Sequence, residues 1–313
     1  MIVVILTVTP NPALDRTIIL KGFKLGQVNR VIRSRVDVGG KGINVAKNIK
    51  ALGGHSICLG FMGKGDDFFV SYLKEQGIAS DFTTIQNPIR MNIKLVDEVS
   101  STFTDLNEPG TKVTPTEIKM LLDKITQWAQ KCKVLVLAGS LPPGVNKGFY
   151  GEVITKVKHF GVKVILDTEK EALKSGIEAA PHLIKPNIHE LSELVGKKLK
   201  TQKDILAAVM PILKKGIKTV VVSMGPNGSL AVTRDIAYSV PPLDVKVKST
   251  AGAGDAMVAG LALALENGMN MKSAVKLASA AAACAVTREG PQPIDVNICN
   301  ELIDKVKVKE IPF

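Results

Sequence analysis

The chain is poor in aromatic side chains, which make up 4% of its 313 residues and include one Trp and three Tyr. So few stacking platforms argue against nucleic acid as a partner, because base stacking supplies much of single-strand affinity. Cysteine is scarce too. Cys58, Cys132, Cys284 and Cys299 are scattered through apolar stretches without a Cys-x-x-Cys pair. This excludes a zinc knuckle and points to buried thiols rather than disulfides. The four histidines show no metal-ligand spacing. No apolar run approaches the ~20 residues of a membrane-spanning helix. The run Ile2 to Val8 ends at Thr9-Pro10-Asn11-Pro12 and has neither a basic leader nor a small-residue cleavage site. It reads as a buried strand rather than a signal peptide, so a cytoplasmic protein with no membrane partner is expected. Repeats, low-complexity tracts and linkers are missing as well, and a single domain over residues 1–313 is expected.

What the chain has in excess is positive charge. Lys and Arg number 41 against 29 Asp and Glu, a formal net charge of +12. The basic residues are spread along solvated helix faces, as at Lys156 and Lys158 or Lys197, Lys198 and Lys200. That distribution fits small acidic substrates better than a nucleic-acid footprint.

From about residue 134 onward, short β-branched runs alternate with helical patterns. Val134 to Leu137, Val162 to Asp167 and Thr219 to Ser223 read as strands. Phe149 to His159, Ile188 to Val195 and Ile205 to Lys215 read as helices. Continuous apolar strands with helices between them imply a parallel sheet covered on both faces, an α/β fold. Leu230 to Thr233 and Ile236 to Val240 suggest a hairpin. Two helices follow, one from Gly254 and one from Lys272 through the alanine-rich Ala278 to Ala285. Residues 17–38 and 81–106 instead alternate polar and apolar side chains, which predicts a small half-exposed sheet projecting from the domain.

Five segments carry candidate chemistry. Gly252-Ala253-Gly254-Asp255 precedes a helix-favouring run, and free amides at a helix start make an anion site. An Asp inside such a site repels anions. It makes sense as the acceptor of a proton from an attacking hydroxyl, whereas an N-capped helix after a glycine turn is the structural alternative. Gly39-Gly40-Lys41-Gly42-Ile43-Asn44 is a second glycine loop entering a helix, lacking P-loop spacing. Thr9 to Asp15 sits past the first strand, where open α/β sheets place ligands. Arg90, Asn92 and Lys94 alternate onto one strand face, as a phosphate clamp or an ordinary solvated face. Asn187 and Glu190 are one turn apart at a helix start. They suit either a hydrated Mg²⁺ or a capping box. Ser140, after the strand ending Leu137-Ala138-Gly139, and the turn Ser223-Met224-Gly225-Pro226-Asn227-Gly228 are further strand-end sites.

In this order the segments resemble the ribokinase-like, PfkB family of carbohydrate kinases over essentially the whole chain. The resemblance rests on Gly39 to Ala46, Asn187-x-x-Glu190 and Gly252-Ala253-Gly254-Asp255. Thr9 to Asp15, Arg90 to Lys94 and Gly139-Ser140-Leu141-Pro142 resemble the phosphofructokinase branch, which acts on sugars that already carry a phosphate.

The resemblance implies a three-layer α/β/α domain with a mostly parallel central sheet and a β lid built from about 14–38 and 81–106. In many members that lid pairs two subunits into a homodimer. It implies Asp255 as general base, with Gly252, Ala253 and Gly254 around the transferred phosphoryl group. Asp15, Gly39, Gly40 and Asn44 would hold sugar hydroxyls. Lys41, Arg90 and Ser140 would hold the existing phosphate, helped by Asn92 and Lys94. Lys185, Asn187, Glu190, Ser223, Gly225, Gly228 and Ser249 would face ATP and Mg²⁺, the metal being reached through water by Asn187 and Glu190. The family often adds a monovalent cation such as K⁺. The implied reaction is ATP-dependent conversion of fructose 1-phosphate to fructose 1,6-bisphosphate, with tagatose 6-phosphate or fructose 6-phosphate as alternative acceptors. Readings from other classes are a nucleoside or vitamin kinase of the same fold, against which the basic Arg90 strand argues, and an idle sugar-phosphate sensor.

Overall fold

Strand β1 (Val4–Thr9) opens the described chain, residues 4–312 of a computed structural model. The first two residues of the predicted strand Ile2–Val8 lie outside the described residues. After Pro10-Asn11-Pro12 the chain forms β2 (Ala13–Leu20) and β3 (Arg33–Gly39). It returns to the body as α1 (Lys41–Ala51), β4 (Ser56–Gly63), α2 (Asp67–Glu75), β5 (Ala79–Ser80) and β6 (Thr83–Ile85). A second excursion gives β7 (Arg90–Asp97) and β8 (Thr102–Leu106). Helices and strands then alternate as α3 (Pro115–Ala129), β9 (Cys132–Ala138), α4 (Phe149–Val157), β10 (Lys163–Asp167), α5 (Lys170–Glu178) and β11 (Leu183–Ile184). They are followed by α6 (Ile188–Val195), α7 (Gln202–Lys214), β12 (Thr219–Ser223), β13 (Ser229–Val232) and β14 (Ala237–Val240). Helices α8 (Ala253–Glu266), α9 (Met271–Val286) and α10 (Val296–Lys305) and strand β15 (Lys309–Ile311) complete the chain.

Across the large sheet the strands run 15-14-13-12-11-10-9-1-4-5, with β6 also paired to β4. The strands from β12 through β4 to β5 and β6 are parallel, and β13, β14 and β15 add an antiparallel edge. Alternation along each strand feeds two separate cores. Leu135 and Leu137 pack towards α3, α4 and α7, whereas Val134 and Val136 pack towards α1, α8 and α9. Burial on both faces is what the continuous apolar runs required. The chain reverses its direction of travel across the sheet between β4 and β9, on either side of β1. Crevices at such switch points are where doubly wound sheets place ligands.

The second sheet has the order β3-β2-β7-β8. Its register sets Asp15 opposite both Asp37 and Asn92. The extent differs from the expected 81–106. Thr83–Ile85 pairs with β4 of the main sheet, so residues 81–89 belong to the body and the second excursion starts at Arg90. Alternation in sequence identifies a strand but not the sheet it joins. Residues 21–32, inside the other predicted segment, connect β2 and β3 without strand pairing.

Side chains cap five of the ten α-helix starts among the described residues. Thr114, Asn187, Thr201, Asn270 and Asp295 accept backbone N–H groups at the starts of α3, α6, α7, α9 and α10. The other five start without such a cap, and among them α1 and α8 begin at Gly40 and Gly252. In α8 the Ala253 amide makes a long 3.4 Å contact to the Thr250 carbonyl, which leaves the next amides available, and both starts lie at the same end of the sheet as Asp167.

Helix α8 is held by close contact with α9. A Cβ added at Gly260 would lie 2.7 Å from the Ala278 Cα and 3.0 Å from its nitrogen, both backbone atoms that cannot rotate away. Gly260→Ala is expected to force the helices apart and destabilise the fold by about 1–3 kcal/mol, as overpacking does. Urea unfolding checks this, and an unchanged midpoint would show that the interface gives way freely.

Candidate active site

The site is assembled from strand ends and helix starts. Strand β10 ends at Asp167, which is buried to 1% exposure. Lys41, the first residue of α1, places its Nζ 3.2 Å from Asp167 Oδ1. Lys185, just beyond β11, places its own Nζ 3.5 Å from the same oxygen and is itself buried. Burial acts to raise the Asp167 pKa, but Lys185 and Lys41 outweigh it and hold the carboxyl below its ordinary value. Burial also acts against the Lys41 cation, yet Asp167, Asp255 and Glu190 leave it more firmly protonated than usual. The ammonium of Lys185 reaches the start of α8, 3.4 Å from where a Cβ on Gly254 would stand.

Asp255 lies in the first turn of α8, after Gly252 takes the left-handed φ of 83° that turns the chain into the helix. The Asn44 Nδ2 donates to Asp255 Oδ2 at 2.9 Å. Burial pushes the Asp255 pKa up to about 6, with Asp167 adding repulsion, against the pull of Lys41, the Asn44 hydrogen bond and Lys185. A carboxyl so tuned is ionised at neutral pH and still basic enough to accept a proton.

A second cluster stands on the small sheet beside it. Asn92 Nδ2 donates to Asp15 Oδ1 at 2.9 Å, and Gly39 leaves the space that the Asp15 carboxylate fills. Burial raises the Asp15 pKa, opposed by the Asn92 hydrogen bond, Lys47 and Arg90. Lys47, buried on α1, donates to the Val38 carbonyl, and burial lowers its pKa against the pull of Asp37, Asp15 and Asp255. Arg90 donates through Nη1 to the Glu108 carbonyl at 2.9 Å and through Nη2 to the Asn11 carbonyl at 3.2 Å. Neither acceptor is charged. Ser140 follows Gly139, whose carbonyl accepts from Tyr150 Oη and Thr168 Oγ1, both at 2.9 Å.

Among the described residues, eight buried side-chain atoms are left without a hydrogen bond: Ser56 Oγ, Thr83 Oγ1 and Arg288 Nε lie elsewhere, and the other five are Thr9 Oγ1, Asn44 Oδ1, Arg90 Nε, Asn92 Oδ1 and Asp167 Oδ2. These five belong to the two clusters or the strand end next to them. Native interiors rarely leave such groups unpaired, so their concentration marks a polar ligand site.

The remaining sequence candidates fall elsewhere. Lys94 lies further along β7 and pairs with Asp105 of β8 at 3.6 Å, away from Arg90's partners. Asn92 serves Asp15 rather than the Arg90 side of the clamp. Asn187 and Glu190 form a capping box: Asn187 Oδ1 accepts from the His189 and Glu190 amides, and Glu190 Oε2 accepts from the Asn187 amide. Ser223 bridges to Asn187 across the strand ends, and Gly225 and Gly228 form the turn after β12. Gly228 must be small because a Cβ would overlap the Val240 carbonyl oxygen. Ser249 Oγ accepts from the Ala251 amide in the segment before α8. Asp167, Lys47, Asp37 and the part played by Asn11 were not singled out from the sequence. For Lys47 a signal exists, since Lys41, Asn44 and Lys47 recur at three-residue spacing on one face of α1.

The Asp255 environment has a stability consequence. The folded chain holds this proton from the ordinary 3.8 up to about 6. Burying the charged form therefore costs nothing below pH 4 and progressively more as pH rises to 6. Roughly two pKa units at about 1.36 kcal/mol each set an upper bound of about 3 kcal/mol. Asp255→Asn is expected to be more stable than the wild type at pH 7.5, with the difference shrinking towards pH 4.5. Urea midpoints at the two pH values check it, and a less stable Asn variant at pH 7.5 would mean the carboxylate is not strained.

The sequence profile of the pfkB family carbohydrate kinases matches residues 9–297. The 1-phosphofructokinase of Vibrio cholerae serotype O1 is 34% identical over 308 residues, covering 98% of this chain and 97% of the relative. The 1-phosphofructokinase of Escherichia coli K12 is 36% identical over 283 residues, 90% of each chain. In structure, the phosphofructokinase-2 of Escherichia coli in complex with potassium superimposes with a TM-score of 0.92 at 30% identity, over 97% of this chain and 99% of the other. Family profile, relatives matched over 90% or more of their length and backbone agree with one another, and the chain belongs to the pfkB family of carbohydrate kinases.

Proposed function

We propose that this kinase transfers the γ-phosphoryl group of ATP to a ketohexose phosphate, forming fructose 1,6-bisphosphate from fructose 1-phosphate. The carrying observation is Asp255, pushed up to about 6 at the uncapped start of α8, with Lys185 and Lys41 beside it. The choice of acceptor is supported by the relatives, which are 1-phosphofructokinases.

In this reading Asp255 accepts the proton of the attacking sugar hydroxyl. The Gly254 amide, joined by that of Ala253, which is held only by a 3.4 Å contact to the Thr250 carbonyl, and the positive end of α8 stabilise charge on the group in transfer. Lys185 stands at those amides. Lys41 lies with Asp167 and Asp255, so its geometry favours the transferred phosphoryl over the existing phosphate. Asp15, Asn44 and Gly40 orient the sugar hydroxyls, and Arg90 with Ser140 holds the phosphate already present. Phosphoryl transfer asks mainly for positioning and charge neutralisation, which these groups supply.

No group of three or more His, Cys, Asp or Glu is placed to hold a metal among the described residues. Mg²⁺ retains waters and rides on nucleotide phosphates, so it asks for few direct protein ligands. Glu190, with one carboxylate oxygen outside the capping box, and Asp167, with Oδ2 unpaired, are the acidic groups available to its waters. When bound, the ion would offset phosphate charge. Assistance by a monovalent cation remains part of the proposal, on the strength of the family resemblance.

The whole chain is proposed to act as one kinase domain with the four-stranded sheet as its lid. Phe23, Val31, Ile32, Phe103 and Leu106 are exposed on that sheet and its loops, as a homodimer built through the lid would require. Among the described residues no helix is long and apolar enough to cross a membrane.

A coupled ADP assay over fructose 1-phosphate, fructose 6-phosphate, tagatose 6-phosphate and free fructose tests the reading. Fructose 1-phosphate is expected to be the best acceptor and free fructose far slower than any phosphorylated ketohexose. Arg90→Ala should raise the phosphosugar KM about ten- to a hundredfold, as loss of a charged hydrogen bond does, and leave the ATP KM in place. Efficient use of free fructose, or a phosphosugar KM indifferent to Arg90→Ala, would reduce the assignment to a general sugar kinase.

A further inference from the structure

Asn11 sits between the two prolines of Pro10-Asn11-Pro12, buried to 6% exposure, and touches each part of the clamp proposed above. Its Nδ2 donates to the Ser140 Oγ at 3.1 Å and to the Pro109 carbonyl at 3.1 Å. Its own backbone carbonyl accepts from Arg90 Nη2 at 3.2 Å. The orientation of the amide is set by chemistry. A backbone carbonyl only accepts, so the atom facing Pro109 must be the nitrogen, and both Nδ2 hydrogens are thereby committed. Gly110 closes the other side: a Cβ there would stand 2.3 Å from Asn11 Oδ1, so the side chain is packed in one pose.

This arrangement dictates the direction of the Ser140 hydroxyl. A hydroxyl has one hydrogen and two lone pairs. One lone pair takes the Asn11 N–H, and among the described residues Ser140 Oγ has no other protein partner. The hydroxyl hydrogen is therefore free to point outward. Arg90 is in a similar state, with both Nη groups on neutral carbonyls and Nε unpaired. A phosphate oxygen carries only lone pairs, and what faces it must be donors.

We infer that Asn11 is a positioning residue that makes the clamp donor-only, turning the Ser140 hydrogen outward with its side chain and anchoring Arg90 with its carbonyl. The inference rests on the reading of Arg90 and Ser140 as holders of the substrate phosphate. It assigns to the Thr9–Asp15 turn a task separate from that of Asp15, and explains why an amide stands at position 11. A carboxylate of the same size would draw the Ser140 hydrogen inward and present a lone pair to the phosphate.

Steady-state kinetics of the full chain with the phosphorylated ketohexose and MgATP test this, using Asn11→Asp, Asn11→Ala, Ser140→Ala, Arg90→Ala and the Asn11→Ala/Ser140→Ala double variant. Asn11→Ala is expected to raise the phosphosugar KM about tenfold and Asn11→Asp on the order of a hundredfold, with the ATP KM unchanged, since hydrogen bonds to charged groups are the stronger ones. Lowering the pH towards 5 should recover part of the Asn11→Asp loss relative to wild type, because a protonated carboxyl donates again. A merely structural role would move stability and show no such recovery. In the Ser140→Ala background, Asn11→Ala should add less than about twofold, the coupling expected of residues that act through one another. Gly110→Ala, which displaces an unaltered Asn11, should raise the same KM and replaces Asn11→Ala should that variant fail to fold. Wild-type KM in Asn11→Asp, or fully multiplicative effects of Asn11→Ala and Ser140→Ala, would overturn the inference. If Arg90→Ala itself leaves the phosphosugar KM unchanged, the clamp reading fails first, and that result is distinct from failure at Asn11.

Discussion

Two ammonium groups converge on one buried carboxylate, and the rest of the site is arranged around that contact. Asp167 holds Lys41 and Lys185 through a single oxygen, at 3.2 and 3.5 Å. A charge buried in this way is tolerated only when paired, and removing it would leave the buried Lys185 ammonium without its counter-charge, while Lys41 keeps contact with solvent. The same carboxylate repels Asp255 and, with burial, keeps that residue basic. One anion thus performs two tasks. It stores positive charge next to the uncapped start of α8, and it raises the proton affinity of the group beside that start.

The fold makes this contact unavoidable. Register sets Asp167 beside Ala138 and aligns Leu166 with Ile184, so the chain emerging from β11 carries Lys185 directly past the end of β10. Helix α1 returns from the small sheet across β1 and delivers Lys41 from the opposite side. The glycines at the starts of α1 and α8 matter for the same reason: a capping side chain would occupy the amides that an anion needs. Stability is spent locally on this arrangement, in unpaired atoms and a strained carboxylate, and is recovered from the two cores on either face of the sheet.

Much of this was legible in sequence because it is local. The glycine turns that open α1 and α8 and the strand at Arg90 are written within a few residues, although Asn92 and Lys94 turn to Asp15 and Asp105 instead of joining Arg90, and the strands and helices from residue 134 onward follow from periodicity. The hidden parts depend on which strand ends become neighbours. Asp167 looked like the last residue of an ordinary strand until two lysines, 126 and 18 positions away along the chain, closed on it. Asn187 and Glu190 show the converse. Their spacing suited a capping box and a metal site alike, and the structure forms the box while leaving one Glu190 oxygen outside it. For residues 81–89 the alternation was real, but strand partnership is a long-range property, and β4 claimed Thr83–Ile85 for the body.

The central claim is that Asp255 is the proton acceptor and that its basicity is set by burial together with Asp167. The most direct test is the pH dependence of kcat/KM for the phosphosugar in the wild type and in Asp167→Asn, which reports the ionisation of the free enzyme. The wild type should lose activity on the acid side around pH 6, where Asp255 takes up its proton. In Asp167→Asn the repulsion is gone and two ammonium groups are released towards Asp255, so the acid limb should move to lower pH even though the maximal rate falls. An acid limb that stays in place, or moves to higher pH, would contradict the account.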